Sequence, residues 1–155
     1  MKKQLLLFAF SALALNSCKD DNIEAYELEM MSGDWKVIKT EIISGKDNKT
    51  VISTEVPSGC SAKNTLHFRS DYFTSYTSYS GTGLECNESG KTEGKYTYSE
   101  ETKLLGIKYD NDSERAYRVE ILTNQDLKIA QLFGASDFNG DEIADLTYIT
   151  YKKDK

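Results

Sequence analysis

Proline is nearly absent from this chain: Pro57 is the only one in 155 residues. Histidine and tryptophan also occur once each, as His67 and Trp35. A single histidine leaves no basis for a zinc site built on several imidazoles. It also leaves one candidate imidazole base, and His67 alternates with Leu66 and Phe68 in a pattern that turns it outward. Basic excess is missing too. The chain carries 19 Lys+Arg against 25 Asp+Glu, a net charge of −6. That balance disfavours nucleic acid, whose affinity comes largely from phosphate contacts, and it disfavours a polybasic membrane-surface role. No Gly-x-Ser-x-Gly elbow occurs, and the acid pair Glu100-Glu101 sits at a turn. No residue is assigned a catalytic role, and a non-enzymatic protein is expected. Long apolar runs are also lacking: nothing after Cys18 approaches the roughly 20 apolar residues that span a bilayer.

One apolar run is present, and it is short. Met1-Lys2-Lys3 forms a positive start and Leu5 to Leu15 an apolar stretch, followed by Leu15-Asn16-Ser17-Cys18. The order resembles a bacterial lipoprotein signal, with a leucine three residues before the cysteine and a serine just before it. The resemblance implies removal of residues 1–17 and lipidation, including palmitate-like acylation, at Cys18. The other reading of Cys18 is an ordinary cysteine beside a cleaved secretory signal. Lys19-Asp20-Asp21 resembles the export signal of Bacteroidota lipoproteins bound for the outer face of the outer membrane. The expectation is an outer-membrane, lipid-anchored protein at the cell surface. A plain solvated tether facing the periplasm is the alternative.

Residues 18–30 read as a tether and short helix, with Ile23, Tyr26, Leu28, Met30 and Met31 interleaved with glutamates. From residue 31 onward, short runs rich in Val, Ile, Thr and Tyr alternate with Gly, Asn, Asp and Ser. Strands are predicted at 35–43, 51–56, 65–69, 72–80, 95–99, 104–109, 115–122, 127–133 and 143–151. Turns are predicted at Ser44–Asn48, Ser89-Gly90, Asp110–Asp112 and Asn139-Gly140. No segment between the strands is long enough for a helical crossover. The fold class is therefore all-β: residues 31–155 form a small antiparallel up-and-down barrel, whose closure removes exposed edges. Cys60 and Cys86 form an even pair in an exported domain and read as a disulfide, which would contribute roughly 3 kcal/mol by loop closure.

Gly33-Asp34-Trp35 follows the short helix and opens the first strand. This Gly-x-Trp arrangement, with the leading helix and the meander, resembles the start of lipocalin-type barrels, and with the lipoprotein signal it is similar to the lipocalin-like lipoproteins of the Bacteroidota. The resemblance covers about residues 31–153. It implies that Gly33 permits a sharp turn, that Trp35 plugs the closed end, and that Lys152 or Lys153 lies over the indole as a cation–π partner.

Two further features remain open. Asp137, Asn139, Asp141, Ile143 and Asp145 fall at positions 1, 3, 5, 7 and 9 of a calcium-type loop. Glu142 replaces the glycine of position 6, and Tyr148 replaces the carboxylate of position 12. The competing reading is a plain type I′ hairpin at Asn139-Gly140. Calcium is thus a possible cofactor, with none otherwise implied. The ten tyrosines suit strands and barrel filling, or else an amphipathic cavity or a stacking surface for sugars. Alternation in Arg115–Leu122 points Tyr117, Val119 and Ile121 inward, and Phe68, Leu127 and Ile129 join them as candidate lining residues. The expected function is binding of a small apolar or amphipathic molecule in the barrel. The alternative is a filled barrel contacting glycan or a partner protein.

Overall fold

The computed structural model describes residues 21–82 and 85–155, with side chains from residue 26 onward. Cys18, Lys19 and Asp20 lie outside the described residues. Helix α1 (Asp21–Met31) leads into nine strands: β1 (Gly33–Ile43), β2 (Val51–Glu55), β3 (Thr65–Phe68), β4 (Phe73–Ser80), β5 (Asn87–Ser99), β6 (Leu104–Tyr109), β7 (Arg115–Leu122), β8 (Asp126–Gln131) and β9 (Leu146–Lys153). All pairings are antiparallel, and β1 pairs with β9 as well as with β3. The ring β1-β3-β4-β5-β6-β7-β8-β9 is therefore closed. β2 pairs with the far half of β1, on the edge whose near half pairs with β3. A short 3-10 helix, Gly59–Lys63, bridges β2 and β3 along that edge.

Alternation fixes what fills the ring. Trp35, Leu66, Phe68, Tyr96, Leu105, Ile107, Val119, Leu127, Ile129 and Tyr151 point inward and form one buried cluster with Met31 of α1. The helix closes the end where β1 begins. Glu27 ties it to the wall, accepting a short hydrogen bond from the Tyr98 hydroxyl and an ion pair from Lys103 Nζ at 2.7 Å. The opposite end is ringed by the segments 44–50, 110–114 and 132–145.

Three expectations need correction. Ser89-Gly90 is not a turn but lies inside β5, which is 13 residues long. Gly90 pairs with Ser78, whose hydroxyl donates to the Gly90 carbonyl at 3.1 Å. Asn139-Gly140 is not a type I′ hairpin: β8 stops at Gln131 and β9 starts at Leu146, so the turn lies inside a loop. Of the two central residues, only Gly140 has positive φ, at 78°, whereas type I′ needs it at both. Third, Ile121 does not face inward. A bulge between Val119 and Ile121 shifts the register, pairing Ile121 with the outward Lys128 and leaving it 47% exposed.

Candidate functional site

The barrel interior has two halves. Near α1 it is packed solid: Trp35, Phe68, Leu105 and Leu127 are fully buried. Phe68 and Tyr96 meet edge-to-face at 4.8 Å between centroids. Of the residues expected to line a cavity, Phe68, Val119, Leu127 and Ile129 lie in this packed cluster. They form its solid wall and floor. Tyr117 alone stands higher.

Toward the mouth the lining changes character. Tyr76 pairs with inward Leu66, Tyr109 with Gly94, Tyr117 with Leu105, and Tyr151 with Val37 and Leu127. All four therefore point into the lumen. Val37, Ile149 and these rings except the buried Tyr151 are only half-buried. Removal from water pushes the Tyr109, Tyr117 and Tyr151 phenols up, and neighbouring tyrosine hydroxyls push Tyr109 and Tyr151 further. The Arg115 guanidinium beside Tyr117 pulls the other way. No hydrogen bond to the Tyr151 hydroxyl forms among the described residues, yet no sealed polar side-chain atom there lacks a partner. The hydroxyl oxygen therefore keeps a little accessible surface. Phe133 packs edge-on against Tyr117 at 5.2 Å, and Arg115 sits 5.9 Å over the Phe133 ring. The composition of Leu132–Gly134 did not foretell that the loop after β8 brings an aromatic back over the mouth.

The loop 132–145 is held by its own acids. Asp137 accepts hydrogen bonds from the amides of Gly140, Asp141 and Glu142. Those amides hold its carboxyl below the usual range. Asn139 and Asp141 cap the amides of Asp141 and Ile143. Asp145 is 2% exposed and accepts from Phe138 at 2.7 Å and from Gly45 at 3.1 Å. The side-chain oxygens of Asp137, Asn139, Asp141 and Asp145 thus serve backbone amides of this loop and of Gly45. Among the described residues no group of three or more His, Cys, Asp or Glu is arranged to hold a metal. At the wall's weak point, Cys60 of the 3-10 helix and Cys86 before β5 are disulfide-bonded.

An eight-position antiparallel ring closed at one end by a helix and a tryptophan defines a lipocalin-like barrel. The family model of the lipocalin-like domain matches residues 31–129, and the chain belongs to that family. Among solved structures, it is similar to the bovine lipocalin allergen Bos d 2, with 14% identity, 82% of this chain and 75% of that one covered, and a TM-score of 0.40. A deswapped triple mutant of bovine odorant binding protein shares 10% identity over 81% of this chain and 74% of its own, with a TM-score of 0.38. Aphrodisin, a sex pheromone from female hamster, shares 8% over 81% and 76%, with a TM-score of 0.37. Likeness this low bears on no ligand. No curated protein matches the chain.

Proposed function

We propose that this protein is a lipid-anchored outer-membrane lipoprotein, displayed at the cell surface, whose barrel mouth holds a small amphipathic molecule with an apolar body. The observation that carries the ligand reading is the convergence of Tyr76, Tyr109, Tyr117 and Tyr151 above an apolar floor. Aromatic rings give apolar area, and a few hydroxyls fix a ligand's orientation. The Tyr151 hydroxyl, without a partner among the described residues, supplies a donor and an acceptor in a low-dielectric space. The anchor reading is supported by the lipobox-like Leu15–Cys18 and by Lys19-Asp20-Asp21.

The test of the ligand reading is titration of the purified protein with an apolar fluorescent probe, with native mass spectrometry for a retained molecule. Saturable binding is expected, and Ile149→Trp should abolish it by filling the upper lumen. Binding that survives Ile149→Trp places the site outside the barrel. No binding to fatty acids, aromatics or the probe overturns the reading.

A further inference from the structure

The outer wall of the barrel carries a second feature, independent of the lumen. A groove of about 740 Å³ runs across β1, β3, β4 and β5. Strand register makes it regular. Because Trp35, Leu66 and Phe68 point inward, their neighbours point out, and two cross-strand rows result. One is Asp34–His67–Ser75–Glu93; the other is Lys36–Thr65–Thr77–Lys91. Each row is charged at both ends, with His67 and Ser75 inside the first and Thr65 and Thr77 inside the second. Ser75, Thr65 and Thr77 are too short to fill the space between the long flanking side chains, so they become the floor of a trough. Along β4 the same outward face reads Phe73, Ser75, Thr77, Tyr79. An aromatic ring stands at each end, roughly 20 Å apart by strand rise.

The charges come in donor–acceptor couples. His67 Nδ1 lies 2.6 Å from Asp34 Oδ1, Lys36 Nζ 2.6 Å from Asp154 Oδ2, and Lys91 Nζ 2.6 Å from Glu93 Oε1. Exposed ion pairs of this kind add little to stability. They do hold long side chains in place, so a ligand need not order them on binding. Each couple presents a donor and an acceptor side by side, which is what a vicinal diol needs, since every hydroxyl both gives and accepts a hydrogen bond. The Thr65 and Thr77 hydroxyls extend the same chemistry, whereas Ser75 is buried, at 4% exposure. Lys36, Lys63, Arg69 and Lys91 stand among Asp34, Glu93 and Asp154, so the lining alternates in sign rather than presenting the uniform basic face a nucleic acid needs, and the floor offers no contiguous apolar surface to a lipid.

We infer that this groove binds an oligosaccharide chain, with Tyr79 stacking on a sugar ring and the Lys91–Glu93 and Asp34–His67 couples bonding its diols. The test is affinity electrophoresis of the purified protein through gels holding xylan, mannan, laminarin or polygalacturonate. Saturable retardation by at least one polysaccharide is expected. Tyr79→Ala and the double change Lys91→Met/Glu93→Gln should each weaken it at least tenfold, with melting curves unchanged. Ile149→Trp, which acts only on the lumen, should leave it intact, so the two sites fail separately. No retardation by any of the four overturns the inference. So does retardation insensitive to both groove variants, or retardation by polygalacturonate alone that vanishes with moderate salt.

Discussion

Lys153 Nζ lies 5.1 Å from the centroid of the Trp35 ring and donates to the Met30 carbonyl at 2.9 Å. The last strand thus reaches across the first and fastens the helix. Trp35 completes the closure by donating its indole N–H to the Met31 carbonyl at 2.7 Å. Of the two lysines named from the sequence, Lys153 takes the role, while Lys152 points out to Asp126 at 2.7 Å. Burial lowers the Lys153 pKa, the signature of a partly desolvated cation. Gly33 makes room for it: at φ 124°, a Cβ there would stand 2.7 Å from Lys153 Cε. Lys153→Met keeps the stem and removes the charge. It should lower stability by about 1 kcal/mol, read as a lower denaturation midpoint with an unchanged slope.

At the other end Gly45 and Asp145 join two mouth loops. A Cβ on Gly45 would stand 2.0 Å from the Ala144 carbonyl oxygen, a backbone atom that cannot swing aside. Gly45→Ala must therefore part the loops and break the bond from the Gly45 amide to Asp145. A loss of about 1–3 kcal/mol is expected. Asp145→Ala removes the same link from the other side and leaves the Phe138 amide without its acceptor. Because both changes break one contact, the double variant should lose less than the sum of the singles.

Much of this architecture could be read from residue order, because alternation is a local signal. Leu66, Phe68, Val119, Leu127 and Ile129 were placed inside by strand alternation and Trp35 by the Gly-x-Trp resemblance, and they are inside. Cys60 and Cys86 were paired by count and setting. Ile121 went astray because one bulge inverts every residue beyond it, and bulges leave no local mark in this stretch. Ser89-Gly90 has turn composition but sits where β5 needs a small residue opposite Ser78. The groove rows were invisible for a different reason. They need the registers of four strands at once, and no single strand encodes its partner's offset. The tyrosine cluster was missed the same way: alternation placed Tyr117 inward, but bringing Tyr76, Tyr109 and Tyr151 beside it needs the registers of several strands.

The buried tyrosines make an alkaline prediction. Desolvation raises Tyr96 from 10.0 to about 12 and raises Tyr98, Tyr109, Tyr117 and Tyr151 as well. In the unfolded chain all would ionise near 10. The folded state therefore holds protons that the unfolded state has lost, and stability must fall as pH rises. The stabilising contribution is complete below pH 10 and for Tyr96 is lost through pH 12. Spectrophotometric titration should show the buried set of Tyr96, Tyr98, Tyr109, Tyr117 and Tyr151 ionising only as the barrel unfolds. A single transition covering all ten tyrosines near pH 10, with the fold intact, would contradict the buried lumen.

The Cys60–Cys86 bond spans 26 positions in sequence. It ties the 3-10 helix at the β2–β3 break to the start of β5. Reduction, or Cys60→Ser with Cys86→Ser, should cost about 3 kcal/mol. The loss should appear first as faster amide exchange in β2, which pairs on one side only.

α1 begins at Asp21, three residues beyond Cys18, and ends beneath Trp35 at the closed end of the barrel. Acyl chains on Cys18 would therefore hold the closed end near the membrane and leave the tyrosine-lined mouth free of it. Several chains anchor firmly because each buried methylene contributes about 0.8 kcal/mol. Cys18→Ser should release the protein from the membrane fraction with its barrel folded. Replacing Lys19, Asp20 and Asp21 by alanine should keep it anchored but shield it from protease added to intact cells. The wild type should be cleaved on intact cells, at the tether or at exposed loops. Resistance on intact cells with cleavage after lysis would place the protein on the periplasmic face instead, and a Cys18→Ser protein that stays in the membrane fraction would refute lipidation.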